Sequence, residues 1–250
     1  MTEVPATRFR VCAVVPTYEN PRTVGAVVEA IAPHVETVIV VDDGSGPAGR
    51  QACEALAARA DTVVVHRPEN GGKGAAVKTG LGEAAKLGFT HALQVDADGQ
   101  HALERAPAFV AAARAEPDAL ILGHPVYDET VPAVRLRARA ITRFWVDLEA
   151  GRGVITDAMV GFRVYPVEAS LAIGARGDRM DFDVEIAVRM ARADVPIVNL
   201  PVGVRYLTAE EGGVSHFRAF GDNVRLSWLH ARICTVASIR WVLRALRIIR

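Results

Sequence analysis

Two aspartates at the end of an apolar run are the residues of this chain best suited to binding a metal ion. Asp96 and Asp98 follow residues 91–95, and alternation along an extended chain sends their carboxylates to the same side. Two such charges repel each other unless a cation lies between them. Mg²⁺ and Mn²⁺ accept carboxylates together with phosphate oxygens and water, so the pair predicts a metal-diphosphate site. A solvated turn is the alternative.

Polar clusters also follow other apolar runs and supply candidate groups for binding a nucleotide. Residues 16–20 follow the first run, and Asp43 follows the second. The Asp43 carboxylate can accept hydrogen bonds from a ribose hydroxyl or a base N–H, although a helix cap is the alternative. Residues 70–74 open a helix, where glycine amides and the Lys73 ammonium suit a diphosphate. The Walker P-loop pattern is absent.

The elements that position these clusters alternate strand and helix through the first hundred residues. Apolar runs without alternation are typical of strands buried on both faces, as in parallel sheets. The sequence predicts strands at 10–15, 37–41, 62–66 and 91–95, with helices at 24–32, 51–59 and 74–87. A doubly wound, mostly parallel α/β sheet follows. Such sheets bind ligands beyond the carboxyl ends of their strands, so the polar clusters are expected to converge on one edge.

The second half of the chain has a less regular pattern. It predicts helices at 103–113, 133–148 and 182–193, and strands at 119–122, 154–156, 161–165 and 197–206. The helix at 133–148 is rich in arginine. Residues 207–216 carry two glycines and two glutamates and predict a loop.

Composition bounds the class of protein. A chain of 250 residues, half of them apolar, is long enough for one large core. Its 29 basic and 29 acidic side chains cancel, so no overall field favours nucleic acid as a partner. The widely spaced Cys12, Cys53 and Cys234 indicate reduced core thiols in a cytoplasmic protein. Neither a secretory h-region nor a membrane-spanning run is found, so a soluble or peripheral protein is expected.

The C-terminal segment has a charge pattern of its own. From Arg218 onward there are seven arginines and one acidic residue, Asp222. Residues 223–250 combine these arginines with Trp and aliphatic side chains, which predicts an interfacial helix on an anionic membrane surface at the inner face of the cell membrane. A helix packed on the domain, or at the contact of a homodimer, is the alternative. We expect one catalytic domain at 1–217 and a basic amphipathic helical tail at 218–250.

Taken in order, five motifs resemble those of family-2 glycosyltransferases of the GT-A fold, particularly the dolichyl- and polyprenyl-phosphate sugar transferases. They lie at residues 14–20, 38–46, 69–81, 92–101 and 161–166, and the resemblance runs from about Val11 to Tyr206. It implies a metal-dependent, inverting transfer of a sugar from a UDP- or GDP-linked donor to a lipid-linked or other membrane-associated acceptor. Mg²⁺ or Mn²⁺ is the implied cofactor.

The resemblance also implies roles for individual residues. The nucleotide-sugar site would comprise Pro16, Tyr18, Glu19, Asp43, Lys73 and Asp96, and the metal would be held by Asp96, Asp98 and Gln100. In some GT-A enzymes a late histidine completes the metal shell, which makes His216 a further ligand candidate. An ordinary histidine at a helix start is the alternative, and the same two readings apply to His101.

Two departures from the family pattern bear on the acceptor and donor sites. The usual Tyr-Asn-Glu-Glu is Tyr-Glu-Asn-Pro here, which shifts the acidic residue Glu19 by one position. After the fifth strand, residues 123–125 are Gly-His-Pro, where many relatives have a Ser-Arg pair that holds a lipid phosphate. Other basic residues are expected to bind the acceptor instead. They are Arg163 and, on the next helix, Arg135, Arg137 and Arg139. For the three arginines on the helix, a solvated helical face is the alternative.

A general base is needed only if the acceptor is a hydroxyl, because a phosphate is already ionised. Asp183, at the start of a helix, is expected to project into the cleft and is the leading candidate. Asp157 is the second candidate for the general base. The alternative is that Asp157 only orients Arg163. Two rival functions stay open: a sugar nucleotidyltransferase, whose usual glycine-rich loop after the first strand is missing here, and a catalytically silent nucleotide-sugar-binding module.

Overall fold

A seven-stranded sheet with helices on both faces forms the body of the protein. The computed structural model describes residues 8–129, 131, 133–205, 227–230 and 235. The strand order is β3-β2-β1-β4-β6-β5-β7. All neighbouring strands are parallel except β6, which runs antiparallel to β4 and β5. The predicted doubly wound, mostly parallel α/β sheet is confirmed.

The strands and helices alternate along most of the chain. The strands are β1 (Val11–Thr17), β2 (Val38–Asp42), β3 (Thr62–His66), β4 (His91–Gln94), β5 (Leu120–Tyr127), β6 (Arg163–Pro166) and β7 (Ile197–Val204). The helices are α1 (Val24–Ile31), α2 (Pro47–Leu56), α3 (Lys73–Lys86), α4 (Ala106–Ala115), α5 (Ala133–Ala150), α6 (Val167–Ala172) and α7 (Asp181–Arg192). Short 3₁₀ turns occupy Ala32–His34 and Leu103–Arg105.

The central strands are apolar throughout because side chains from each strand enter two separate cores. Cys12 and Val14 pack with α3 and α7 on one face, whereas Ala13 and Val15 pack with α1, α2 and α4 on the other. Burial raises the pKa of the Cys12 and Cys53 thiols to about 12. At such values both stay protonated, as expected of core thiols. Cys234 lies outside the described residues.

Three expectations about secondary structure are corrected. Residues 154–156 were expected to form a strand, but they form a turn in which the Asn199 amide oxygen accepts hydrogen bonds from the Thr156 backbone N–H (3.1 Å) and hydroxyl (3.0 Å). β5 continues to Tyr127, beyond the predicted end at 122, because it pairs with β7 over its whole length. The short helix α6 was not predicted.

The basic C-terminal segment is described only in small part. Residues 227–230 are helical, and Leu229 is buried in the core on the α7 face of the sheet. The predicted domain boundary at 217 and most of the predicted tail, 218–250, lie outside the described residues. In the part of the chain that the structure describes, no helix is both long enough and apolar enough to cross a bilayer.

Candidate active site

A partly buried ionic cluster lies at the carboxyl end of β4. The Lys73 ammonium, at the start of α3, lies 2.8 Å from Asp96 Oδ1 and 2.8 Å from Asp183 Oδ2. Asp96 follows β4, and Asp183 lies in the first turn of α7. Three elements distant in sequence therefore bring one cation and two carboxylates together at the edge where the sheet was expected to bind ligands.

The charges of this cluster stabilise one another. Burial alone lowers the pKa of Lys73, but the carboxylates of Asp183 and Asp96 more than offset it, and the pKa lies above the ordinary value. Burial likewise raises the pKa of Asp96, yet the Lys73 charge outweighs burial and the pKa is lowered. Asp96 and Lys73 are therefore both charged around neutral pH.

Asp98 lies beside this cluster but does not share its ammonium. Its Oδ1 accepts a hydrogen bond from the Gln100 backbone N–H (3.1 Å). The pKa of the Asp98 carboxyl is raised, mainly by burial and secondly by the negative charge of Asp96. A positive ion at this position would relieve both effects, because it favours the charged form of each carboxylate.

The side chains around Asp98 fit a hard divalent cation. Asp96 Oδ1 is buried and faces the Lys73 ammonium, whereas the buried His101 Nδ1 has no hydrogen-bond partner among the described residues. No three His, Cys, Asp or Glu side chains converge as a ready-made metal cage in the described ranges. Mg²⁺ and Mn²⁺ suit such an incomplete shell, because they bind through one or two carboxylates and take the remaining ligands from phosphates and water. His216 lies outside the described residues.

Gly161 allows the loop before β6 to press against Asp96. A Cβ atom at residue 161 would overlap both carboxylate oxygens of Asp96, because it would lie closer to them than the sum of their van der Waals radii. Gly161 belongs to the motif at residues 161–166, but the sequence alone offers no reason for a glycine there. The contact with Asp96 supplies that reason. The glycine leaves room for the carboxylate that holds Lys73.

The predicted nucleotide contact Asp43 is engaged by the glycine-rich loop. Its Oδ1 accepts the Gly71 N–H (3.1 Å) and pairs with Arg67, and its Oδ2 accepts the Gly72 N–H (2.7 Å). Gly72 has a φ of +102°, a conformation that favours glycine. Asp43 therefore fixes the loop that carries Lys73. Arg67 was not predicted as part of this site.

The other predicted nucleotide-binding residues, Pro16, Tyr18 and Glu19, lie along the same edge of the sheet, and their side chains differ in how far they are exposed to solvent. Glu19 has a φ of 55°, and its Oε1 accepts the Gly46 N–H (2.6 Å). Its backbone N–H donates to Ser45 Oγ (3.0 Å), so Glu19 ties the first two strand ends together. Tyr18 is half-buried, and Pro16 is buried inside β1.

Two of the predicted site residues are buried. Arg163 is fully buried, and its guanidinium donates to the carbonyl oxygens of Val160, Ala158 and Asp183. It therefore holds the chain before β6 and offers no surface to an acceptor. The Asp183 carboxylate is only 1 % exposed and does not project into an open cleft as expected.

A second cleft lies between β5, α5 and the turn before β6. It has a volume of about 230 Å³, and its lining includes His124, Tyr127, Arg139, Arg143 and Asp157. Arg139 pairs with Asp157, the second general-base candidate, so Asp157 orients Arg139; the alternative considered from the sequence was that it orients Arg163. The side chains of Arg135 and Arg137 lie outside the described part of α5.

One positioning element was missed by the sequence analysis. The buried Glu185 carboxylate accepts the backbone N–H groups of Arg176 (3.0 Å) and Gly177 (2.6 Å). The segment it holds covers the start of α3, where the Ala75 N–H donates to the Asp178 carbonyl (2.9 Å). No local sequence signal links Ala75 to Asp178, because they are 103 positions apart in the chain.

Comparison with known proteins identifies the family. Residues 12–170 match the family described as "Glycosyl transferase family 2". The chain is 32% identical over 230 residues to the polyprenol monophosphomannose synthase of Mycolicibacterium smegmatis, covering 86% of this chain and 83% of that protein. It is 27% identical to the undecaprenyl-phosphate mannosyltransferase of Micrococcus luteus, covering 78% and 83%. The chain belongs to glycosyltransferase family 2, is a glycosyltransferase, and resembles the polyprenyl-phosphate sugar transferases within it.

Solved structures support the GT-A fold. Glucosyl-3-phosphoglycerate synthase from Mycobacterium tuberculosis in complex with UDP matches with a TM-score of 0.67 and 18% identity, over 91% of this chain and 81% of that chain. The same enzyme with Mn²⁺, UDP and glucosyl-3-phosphoglycerate matches with a TM-score of 0.64 and 17% identity, over 91% and 78%. At this identity the likeness establishes the fold alone.

Proposed function

We propose that this glycosyltransferase transfers a hexosyl group, with inversion, from a UDP- or GDP-sugar to a polyprenyl phosphate, and that it requires Mg²⁺ or Mn²⁺. The observation that carries the proposal is the cluster of Lys73 with Asp96 and Asp183, beside Asp98, at the carboxyl edge of the sheet. Mannose is the first sugar to test, because both curated relatives are named for its transfer.

The donor would lie across the ends of β1, β2 and β4. Asp43 and Glu19 hold the loops that line this edge, and Tyr18 is half-exposed to it. Asp96 and Asp98 would hold the cation, with Gln100 and His216 as further ligand candidates. A divalent cation there would neutralise charge on the departing nucleoside diphosphate.

Lys73 supplies the second positive charge at this edge. Asp96 and Asp183 keep its ammonium in place before any donor arrives, so no reorganisation is needed as charge develops on the leaving group. Asp183 thus acts as a positioning residue for Lys73. Its burial suits an acceptor that is already ionised, because a phosphate needs no protein base.

The acceptor phosphate would bind in the cleft beside α5. Arg139 and Arg143 line it, and they compensate for the arginine that many relatives carry where this chain has His124. Guanidinium groups suit phosphate because they donate several hydrogen bonds in a fixed geometry. Arg135 remains an acceptor candidate from the sequence. A lipid acceptor would bring the enzyme to the membrane, for which we propose the inner face of the cell membrane, and residues 223–250 are a candidate for the contact.

A transfer assay with defined substrates tests this function. The purified full-length chain is incubated with GDP-mannose, UDP-glucose or UDP-galactose, a short-chain polyprenyl phosphate in detergent, and Mn²⁺, Mg²⁺ or EDTA. We expect one donor to yield a polyprenyl-phosphate sugar whose anomeric configuration is inverted, and EDTA to abolish the product. Donor binding without transfer or donor hydrolysis would support the silent-module alternative, and pyrophosphate release from a nucleoside triphosphate would support the nucleotidyltransferase.

A further inference from the structure

We propose that the outward face of the C-terminal half of α5, together with Trp228, is a membrane-docking surface for anionic lipid. This apolar face consists of Ile141, Phe144 and Leu148. The proposal rests on the proposed function, since an acceptor carried by the bilayer must reach the cleft beside the same helix. It is independent of residues 231–250.

The three side chains of the apolar face are large, hydrophobic and mostly exposed to solvent. Ile141, Phe144 and Leu148 are 63%, 64% and 64% exposed among the described residues. At about 100° per residue, these three positions fall within roughly 60° of one another on the helix. The opposite side is anchored: Thr142 and Val146 are buried, and α5 packs against α7. The apolar face is therefore presented outward by a fixed helix.

Trp228 extends this surface from a separate segment. It is 70% exposed, whereas its neighbours Leu229 and His230 are buried. His230 Nδ1 lies 3.0 Å from Glu149 Oε1, and its ring stacks on Trp145 with the centroids 5.8 Å apart. These contacts fasten the segment to the C-terminal half of α5, so the exposed Trp228 belongs to a segment that is held on this helix.

The charges beside the apolar face favour a bilayer as its partner. Arg143 lies on the flank of α5 that borders the cleft, about a third of a turn from the apolar face, whereas Arg139 lies about half a turn away, on the side of the helix that lines the cleft. The acidic residues on the same half-helix are engaged: Asp147 Oδ1 accepts the Gly153 N–H (3.0 Å), and Glu149 pairs with His230. Apolar and aromatic side chains with Arg143 at the border suit lipid tails beneath anionic headgroups.

This orientation would connect docking to catalysis. With the apolar face in the headgroup region, Arg143, which borders that face and lines the cleft, would lie near the lipid phosphates, and Arg139 would lie deeper in the cleft. A polyprenyl phosphate could then place its phosphate at Arg139 and Arg143 while its chain stays in the bilayer. A second copy of the chain, or the chain's own residues 231–250, are the competing occupants, and the experiment distinguishes both from lipid.

Vesicle co-sedimentation tests the surface. The full chain, the double variant Phe144→Glu/Leu148→Glu and the control Leu87→Glu are mixed with vesicles of phosphatidylcholine alone or with equal phosphatidylglycerol. Leu87 is a matched control because it is exposed at the opposite, amino-terminal end of the strands. We expect the double variant to bind anionic vesicles at least about tenfold more weakly, since each apolar side chain contributes on the order of a tenfold change in partition.

Three further readouts make the outcome decisive. Circular dichroism confirms that the double variant is folded; if it is not, Trp228→Glu and Ile141→Glu are used separately. Light scattering of the wild type and the double variant reports oligomeric state, and a dimer lost with the substitution would overturn lipid docking in favour of a second copy. Deletion of residues 231–250 should leave vesicle binding through Phe144 and Leu148, and complete loss on deletion would overturn the proposal.

Catalysis separates this inference from the proposed function. Transfer to a detergent-dispersed, short-chain acceptor should be unchanged in Phe144→Glu/Leu148→Glu, whereas transfer to polyprenyl phosphate in vesicles should fall with binding. If the wild type transfers sugar in detergent but both proteins bind vesicles equally, docking through α5 is refuted while the glycosyltransferase function stands. Absence of transfer in every format refutes the proposed function instead.

Discussion

The ammonium of Lys73 and the carboxylate of Asp183 lie 2.8 Å apart, although 109 residues separate them in the chain. Asp183 is buried beneath the glycine-rich loop, and Lys73 is the first residue of α3. The contact therefore joins the first half of the sheet, which carries the predicted donor edge, to the second half. It also orients the ammonium toward Asp96, where the diphosphate is proposed to bind.

Removing the Lys73 charge is expected to affect both stability and turnover. Lys73→Met would leave the partly exposed Asp96 without its ammonium partner and the buried Asp183 with the longer 3.8 Å pair to Arg163, which costs up to about 3–5 kcal/mol of unfolding free energy. Urea denaturation of Lys73→Met and of the exposed control Lys86→Met measures this. The double variant Lys73→Met/Asp183→Asn should recover part of the loss but not activity. Unchanged stability in Lys73→Met would contradict the paired cluster.

The close approach at residue 161 gives a second prediction. Gly161→Ala would displace the Asp96 carboxylate, because the added methyl lies against both of its oxygens. We expect transfer to drop by about a hundredfold or more, as misplacement of about 1 Å at a reacting centre can cost that much. Gly82→Ala is the matched control, since nothing lies within 4 Å of an added methyl there. Equal rates in both variants would argue against Asp96 as a donor-site residue.

Much of the first half of the fold could be predicted from the sequence, because local patterns determine it. The strand at Thr62–His66 has the predicted bounds, and the other early strands differ by one or two residues. Buried parallel strands are continuous apolar runs, and Asp43 and Asp96 mark where two of them end. The family resemblance rests on the same motifs.

The second half was harder to predict, because side-chain contacts override local preference there. The β-branched residues Val154, Ile155 and Thr156 favour a strand, but hydrogen bonds to Asn199 hold a turn instead. The strand predicted at 119–122 continues through Pro125 to Tyr127, because it pairs with β7 along its whole length. Likewise, nothing in a single sequence reveals that Arg163 donates inward to backbone carbonyls, and its charge alone suggested a ligand site.

A third prediction concerns the acceptor cleft. Arg139→Gln should raise the KM for polyprenyl phosphate about tenfold or more while leaving the KM for the donor unchanged, because one charge-assisted hydrogen bond to phosphate contributes about 1.5–3 kcal/mol. Steady-state kinetics with each substrate varied in turn measures the split. Arg50→Gln, an exposed arginine on α2, is the control. An increase in donor KM alone would place Arg139 outside the acceptor site.

The buried His91 predicts a pH dependence of stability. Burial lowers the pKa of His91 below its ordinary value of 6.5, so the unfolded chain binds the proton more readily than the folded chain. Its contribution is fully present above pH 6.5 and is lost as the pH falls toward the folded pKa. Urea midpoints of the wild type should decline over this range more steeply than those of His91→Gln. His34→Gln is the control, and parallel curves for all three proteins would contradict the prediction.

The central claim is that Asp96 and Asp98 bind the donor diphosphate through a divalent cation. Isothermal titration calorimetry of the donor identified by the transfer assay, with Mn²⁺ or EDTA, tests it most directly in the wild type and in Asp98→Ala. We predict Mn²⁺-dependent donor binding in the wild type and binding at least about a hundredfold weaker in Asp98→Ala, with an unchanged melting temperature in the absence of ligand. Donor affinity that is equal in Asp98→Ala and wild type, or indifferent to EDTA, would contradict it.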